Sequence, residues 1–396
     1  MEALSTTSET GSHRILVVDD EPTLERLIRI RMRREIRSGH FTFGFARNGV
    51  EALARLSSDN PYDMVLSDIN MPQMDGLTLL EQIPSVDPDV RAVIVSAYGD
   101  MKNIRTAMNR GAFDFVTKPI DFADLRITID RTLRNLAVWR DALRSRDQLV
   151  TLEHELALAR NMQQSILPTD FPDSAGHQIF ARMNPAKAVG GDFFDFTNLG
   201  GGRVGLAIAD VSGKGVPAAL VMMSSRTVLK GAAIGYDNPG EVLSHVNSAL
   251  EMENSALMFV TMFYGIFDSN SGKFTYASGG HEPPLILRRD GTTALLPLTG
   301  GIALGVVPNA DYDFNTVHLA PGETILLYTD GVPDAQNIRG ERFGMDRFCR
   351  IFGDAPPEGA EEATQVVFRA VSEFAQDTPQ FDDLTCLALR RLGPGS

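Results

Sequence analysis

The sequence predicts three parts: an α/β doubly wound parallel sheet over residues 14–121, a helical linker over 122–168, and an α+β layered sandwich over 169–396. Three observations carry this division. Apolar runs and amphipathic helices alternate at short intervals as far as Ile120, the pattern of parallel strands with helices on both faces. From Asp121 to Leu167, between Pro119 and Pro168, forty-seven residues pass without Gly or Pro. After Pro168, strand-like segments and glycine turns dominate, interleaved with long helices but without a βα repeat.

The 396 residues exceed one compact domain, and 43% hydrophobic with 22% charged residues is ordinary globular composition. Residues 1–13 are polar and acidic, lack a basic start followed by an apolar core, and read as a disordered tail rather than a signal peptide. No run approaches the ~18 apolar residues that span a bilayer. Two cysteines, Cys349 and Cys386, make no disulfide framework and suit a reducing compartment, so the cytoplasm is expected. A net charge of −14 argues against nucleic acid as the main ligand.

In the first part, strands are expected at Ile15–Val18, Phe41–Ala46, Met64–Leu66, Arg91–Val95 and Phe113–Val116, with helices at Pro22–Arg37, Val50–Leu56, Leu77–Ile83 and Asn103–Asn109. Such sheets bind ligands beyond the carboxyl ends of their strands. Asp19–Asp20 follow the first strand, Asp68 the third, Ser96 the fourth and Lys118 the fifth. Three converging carboxylates repel one another unless a hard cation such as Mg²⁺ neutralises them, and Lys118 adds a positive charge suited to a phosphoryl group. The segments "ILVVDDE", "VLSDINMPQMDG", "VSAYGD" and "FVTKP" resemble a two-component receiver domain, a flavodoxin-like fold, over roughly residues 14–135. That resemblance implies Asp68 as phospho-acceptor, with Asp19, Asp20 and the Asn70 carbonyl holding Mg²⁺. It also implies Ser96 and Lys118 at the acyl phosphate and Phe115 at the switch aromatic position.

The Gly- and Pro-free run would reach about 70 Å as one helix. Asp121 is its expected N-cap. Ile129, Leu133, Leu136, Trp139 and Leu143 recur at helical spacing, and a second series runs Leu149, Leu152, Leu156, Ala159, Gln163, Ile166. Six residues separate Leu143 from Leu149 where a heptad needs seven, so a coiled coil here has a phase break at Arg144–Gln148. A helix that merely packs on its neighbours shows the same spacing. The basic first half (Arg126, Arg131, Arg134, Arg140, Arg144, Arg146) reads as a solvated face.

In the third part, strands are expected at Gln178–Met183, Arg203–Ala209, Met258–Phe267, Lys273–Ala277, Pro284–Arg288 and Thr324–Tyr328. Helices are expected at Pro217–Ala233, Gly240–Met252 and Glu361–Ala375. Acidic residues stand at strand ends or glycine turns in "VGGDFFDF" (Asp192), "IADVSGKG" (Asp210), "YTDGVPDA" (Asp330) and "FDDLT" (Asp382, Asp383). Gly190–Gly191 allow a close backbone approach, and Gly331 after Asp330 tolerates a positive φ. With histidine scarce and no cysteine motif, a hard, oxygen-only site for two Mn²⁺ or Mg²⁺ ions is the expectation.

From about Ala157 to Leu392 these motifs resemble the PPM family of metal-dependent protein serine/threonine phosphatases, in the bacterial branch of sporulation and stress-response enzymes. The resemblance implies Asp210 bridging two metals with the Val211 carbonyl also coordinating, Asp192 on the first metal, and Asp330 and Asp382 on the second. Asp383 ranks below Asp382, and His281, in "SGGHEPP", is placed near the substrate groove. Asp334 and Ala209 depart from the usual glutamate and glycine without removing a ligand. Together the two resemblances imply a phosphorylation-controlled protein phosphatase, served by a sensor histidine kinase or phosphotransfer protein. The implied substrate is an anti-sigma factor antagonist in a partner-switching pathway, and a homodimer through the linker is expected. The competing reading is a non-catalytic scaffold binding a sigma or anti-sigma pathway protein.

Overall fold

The computed structural model describes residues 12–393 apart from 59, 98–99, 172–173, 175, 253–256 and 354–355. Of the tail expected over residues 1–13, residues 1–11 lie outside the described residues, while His13 already opens the first strand. The chain divides into two compact units, one ending at Thr151 and the next beginning at Leu152.

The first unit runs β1 (His13–Val18), α1 (Pro22–Arg31), α2 (Arg33–Arg37), β2 (Phe41–Ala46), α3 (Gly49–Leu56), β3 (Met64–Asp68), α4 (Gly76–Val86), β4 (Arg91–Ala97), α5 (Met101–Asn109), β5 (Asp114–Lys118) and then α6 (Phe122–Ile166). Its five strands are all parallel, in the order β2-β1-β3-β4-β5. The side-chain period of two divides each strand between two cores. Leu16, Val18, Val65 and Ile94 pack with Ala52, Leu79 and Ala107 on one face. Ile15, Val17, Leu66 and Val95 pack with Leu24, Ile28 and the start of α6 on the other. The helix expected over Pro22–Arg37 breaks at Met32, whose φ of −98° and ψ of 18° leave the helical region. Asn48, Asp75 and Asp100 cap α3, α4 and α5 by accepting from backbone N–H groups.

Helix α6 is continuous for 45 residues, and Asp121 caps it by accepting from the Ala123 N–H at 2.8 Å. Its two halves differ in what they bury. Leu125, Ile129 and Leu133 belong to the core of the first unit, and Leu136 is buried as well. Arg91 lies over the Trp139 ring at 4.5 Å, and Arg140 pairs with Asp63 at 2.6 Å. The first apolar series is therefore a packing face. Farther along, Leu149, Val150, Leu152, Leu158 and Met162 are exposed. Gln163, which the heptad pattern assigns to the seam, is instead buried against Gly190, so it takes no part in a seam facing another helix.

The second unit continues with β6 (His177–Asn184), β7 (Phe193–Gly200), β8 (Arg203–Val211), α7 (Val216–Gly235), α8 (Pro239–Met252), β9 (Val260–Asp268), β10 (Lys273–Gly279), β11 (Leu285–Leu287) and β12 (Thr293–Leu295). It ends with β13 (Phe314–His318), β14 (Thr324–Tyr328), α9 (Met345–Arg350), α10 (Ala360–Ala375) and β15 (Leu384–Arg391). Two antiparallel five-stranded sheets form, β13-β10-β9-β8-β7 and β12-β11-β14-β15-β6. Ile325 and Leu327 share a core with Phe263, Phe274 and the α7 and α8 residues Met222 and Val246. Leu326 and Tyr328, one residue out of phase, pack outward on Phe348, Val367 and Phe368. Gly272 and Gly291 take φ of +74° and +80° in the β9–β10 and β11–β12 turns, a backbone region that side chains disfavour. Strands β7, β12, β13 and β15 and helix α9 go beyond the expectation. Strand β15 is buried on both faces and so shows little alternation, while β13 is a partly exposed edge strand. Among the described residues, no helix is long and apolar enough to cross a membrane.

Truncating Leu133 to Ala is expected to destabilise the first unit by about 2–5 kcal/mol, as cavity-forming changes do. Leu152→Ala is expected to leave unfolding of dilute protein within ~0.5 kcal/mol. Urea denaturation of both variants checks the contrast.

Candidate functional site

In the first unit, β1 and β3 are adjacent parallel strands, so Asp19 and Asp68 emerge side by side at their carboxyl ends. Asp19, Asp20 and Asp68 each offer an oxygen within 4.8 Å of the others. Lys118, at the end of β5, donates to Asp19 Oδ2 at 3.0 Å and to Asp68 Oδ2 at 2.8 Å. Burial works against the ammonium, but its hydrogen bonds to Asp68 and Asp19 and their charges outweigh it and hold its pKa above the usual lysine value. Burial raises the Asp19 carboxyl. Ser96 Oγ is buried and has no hydrogen-bond partner among the described residues, a donor suited to a further oxygen. Asn70 is exposed two residues beyond Asp68, after the Ile69 N–H that donates to Asp68 Oδ1. Phe115 on β5 is half-exposed. Three carboxylates, a lysine and an unpaired hydroxyl fit Mg²⁺ together with a phosphoryl group.

In the second unit, antiparallel pairing does the same work twice. Phe193 pairs with Ala209, so the start of β7 lies beside the end of β8 and brings Asp192 to Asp210. In the other sheet Tyr328 pairs with Cys386, so Asp330 after β14 neighbours Asp382 before β15. The two pairs act on each other. Burial, followed by the Asp330 charge, pushes Asp210 up to about 7, and burial followed by Asp382 pushes Asp330 up to about 6. Asp192 is raised well above the carboxylate range by burial, then by Asp210 and Asp383. Glu282 and Asp334 add to the repulsion at Asp330. A proton or a cation relieves such repulsion, and the donors are all oxygen: the four carboxylates and, at the end of β8, the Val211 carbonyl. That set fits hard divalent ions. Among the described residues only the Asp19–Asp20–Asp68 group gathers three ligand oxygens within 4.8 Å.

The supporting shell explains the glycines. Asp383, adjacent to Asp382, turns inward: its carboxylate accepts from the N–H groups of Ala186, Gly191 and Asp192. A Cβ on Gly190 would lie 2.4 Å from Asp383 Oδ2, and one on Gly191 would lie 2.9 Å from the Val211 carbonyl oxygen. Gly331 makes no use of the positive φ that glycine tolerates; a Cβ there would strike the Asp383 carbonyl, so close approach is the constraint. Thr329 and Thr385 hydroxyls donate to Asp192 Oδ2 at 2.7 and 2.6 Å. Gln163 of α6 donates to the Gly190 carbonyl at 2.6 Å and accepts from the Gly190 N–H at 3.0 Å, which clamps the loop two residues before Asp192. Asp195 and Arg226 form a buried ion pair at 3.1 Å between β7 and α7.

His281 lies inside the sandwich at 3% exposure rather than on a groove wall. Its Nδ1 meets Thr261 Oγ1 at 2.9 Å, on the residue paired with Asp210, and burial lowers its pKa to about 4. The threonines, Gln163 and Glu282 carry no motif signal of their own; "SGGHEPP" marked the segment but drew attention to His281.

The family described as response regulator receiver domain matches residues 15–130, and the family described as stage II sporulation protein E matches residues 200–392. Phosphoserine phosphatase RsbU of Bacillus subtilis is 32% identical over 242 residues, covering 61% of this chain and 71% of RsbU. This chain belongs to the SpoIIE-type PPM phosphatase family and carries a receiver domain. Protein IcfG of Synechocystis is 31% identical over 265 residues, 60% of this chain, and the match spans only 41% of IcfG. The solved SiaA-PP2C domain of Pseudomonas aeruginosa aligns with a TM-score of 0.54 at 26% identity, covering 61% of this chain and 98% of that domain.

His281 yields a pH test. Its folded pKa, about 4, lies below the unfolded value near 6.5, so the stability it contributes is full above pH 6.5. That contribution is lost as pH falls from 6.5 toward 4, because the unfolded chain takes up the proton first. Between pH 7.5 and 5 the wild type is expected to lose about 2 kcal/mol more than His281→Gln, read by urea denaturation.

Proposed function

We propose that this chain hydrolyses phosphoserine or phosphothreonine on a protein, under the control of phosphorylation at Asp68. The carrying observation is the convergence of Asp192, Asp210, Asp330 and Asp382 from neighbouring strand ends of two sheets. Asp192, Asp210 and the Val211 carbonyl would hold one ion, and Asp210, Asp330 and Asp382 the other. Two Mn²⁺ or Mg²⁺ ions, when bound, supply a hydroxide nucleophile and neutralise charge at phosphorus. Thr329 and Thr385 fix Oδ2 of Asp192, and Asp383 holds the Gly190–Gly191 turn beneath it. In the receiver, Asp68 accepts the phosphoryl group while Asp19, Asp20 and the Asn70 carbonyl hold Mg²⁺, and Lys118 and Ser96 grip its oxygens.

The working division is a receiver at 14–121, a linker at 122–168 and a phosphatase domain at 169–396. The substrate class that fits the family branch is an anti-sigma factor antagonist, and the phosphodonor is a sensor histidine kinase or phosphotransfer protein. The acidic chain and the absence of a spanning helix among the described residues favour a cytoplasmic setting without nucleic acid or membrane. The exposed apolar residues Leu149, Leu152 and Leu158 on α6 support pairing with a second copy. The contacts of Gln163 with Gly190 supply the route by which a change in α6 reaches Asp192.

Phosphate release from a serine-phosphorylated protein is expected to require Mn²⁺ or Mg²⁺ and to fall roughly 100-fold or more in Asp210→Ala. Retention of most activity by a folded Asp210→Ala protein overturns the assignment.

Acetyl phosphate is expected to change the wild-type rate and to leave Asp68→Ala unaffected. Gln163→Ala is expected to accept phosphate at Asp68, seen by mass spectrometry, yet to show little rate difference between the two forms. An undiminished response in Gln163→Ala refutes the proposed route.

A further inference from the structure

We infer that Lys214 is a displaceable counter-ion of the metal site: it holds Asp382 when divalent ions are absent and engages the substrate phosphate when they are present. The inference rests on the proposed phosphatase reading and adds a residue that the motif analysis left without a role, in the "SGKG" segment.

Lys214 lies in the short loop between Asp210–Val211 at the end of β8 and the start of α7, flanked by Gly213 and Gly215 at φ of +93° and +80°. These glycines turn the loop so that the lysine faces the segment before β15. There its Nζ pairs with Asp382 Oδ2 at 2.9 Å, donates to the Phe381 carbonyl, and sits 3.9 Å from the centre of the exposed Phe381 ring. The other Asp382 oxygen, Oδ1, accepts from the Asp383 N–H at 2.9 Å. Oδ2 is therefore the oxygen open to exchange, and it is the one that Lys214 occupies. A divalent ion and an ammonium on one carboxylate oxygen repel each other, so an ion bound through Oδ2 drives Lys214 off.

Charge indicates where the ammonium then goes. The four ligand carboxylates and two divalent ions sum to zero before Asp383, Glu282 and Asp334 are counted, so the loaded site by itself offers no net positive charge to a phosphate dianion. Lys214 raises the sum to one, and its positive charge already acts on Asp330. Its side chain is 30% exposed, so the ammonium stands at the solvent side, from which a protein-borne phosphate enters. A long flexible stem allows the exchange without backbone movement, whereas a lysine serving only as a loop staple would be indifferent to both metal and phosphate.

The test titrates full-length protein with Mn²⁺ by calorimetry, then titrates the Mn²⁺-loaded protein with inorganic phosphate, and measures steady-state hydrolysis of p-nitrophenyl phosphate. Lys214→Met is expected to bind Mn²⁺ several-fold more tightly, because a competing cation is gone. It is also expected to bind inorganic phosphate about tenfold more weakly and to raise KM more than it lowers kcat. Lys214→Arg, which keeps the charge, is expected to restore phosphate affinity. Unchanged Mn²⁺ affinity in Lys214→Met overturns the inference, as does tighter Mn²⁺ without weaker phosphate. Wild-type protein that binds both ligands in this Lys214-dependent way yet hydrolyses no phosphoester would refute the phosphatase proposal and leave the role of Lys214 standing.

Discussion

Mutual repulsion among carboxylates, Asp192 buried and the others half-buried, is the constraint around which the second unit is built. Asp192, Asp210, Asp330 and Asp382 arrive in two pairs because antiparallel strands place the end of one beside the start of the next. Left alone, such charges push the loops apart or take up protons, as the raised positions of Asp210 and Asp330 record. The surrounding structure is a set of devices against that outcome. Asp383 adds to the charge at Asp192 but sets its own on three backbone N–H groups, two threonine hydroxyls fix one oxygen of Asp192, and Gly190, Gly191 and Gly331 leave room for atoms that a side chain would exclude.

The receiver meets the same physics on a smaller scale. Its acid trio gathers within 4.8 Å, and a lysine from the end of β5, two strands beyond β3, bridges two of the three carboxylates. Parallel strands deliver all their carboxyl ends to one edge. The sandwich draws its four carboxylates from two sheets. In both units a lysine stands in reach of the acids, and its distance from solvent differs little: the side chains of Lys118 and Lys214 are 29% and 30% exposed.

Helix α6 shows how one uninterrupted segment serves two unlike surfaces. Its first apolar series is consumed by the receiver core, and its last turns place Gln163 on the loop before Asp192. Between them lie apolar side chains with little cover, in the stretch where the heptad pattern loses phase. A helix with the same backbone throughout thus changes from core element to exposed stripe to loop clamp, and only the side chains mark the transitions.

Much of this was legible in the chain before folding was considered. Strand and helix alternation is local, so the parallel sheet, the long helix from its missing breakers, and the layered sandwich follow from spacing alone. The acids could be singled out because carboxylates after apolar strands are costly and recur in glycine-flanked motifs. Other features depended on contacts between distant segments. Gln163 matched a heptad position but is held by Gly190, and Asp383 differs from Asp382 only in which way the chain turns. His281 looked like a groove residue and is buried behind Asp210, while Thr329, Thr385 and Lys214 matter only through partners more than 100 residues away. Sequence determined the elements and the inventory of charges, because both are set by local periodicity and residue chemistry. Tertiary structure decided which oxygen each charge presents and what supports it, because that depends on strand register across two sheets.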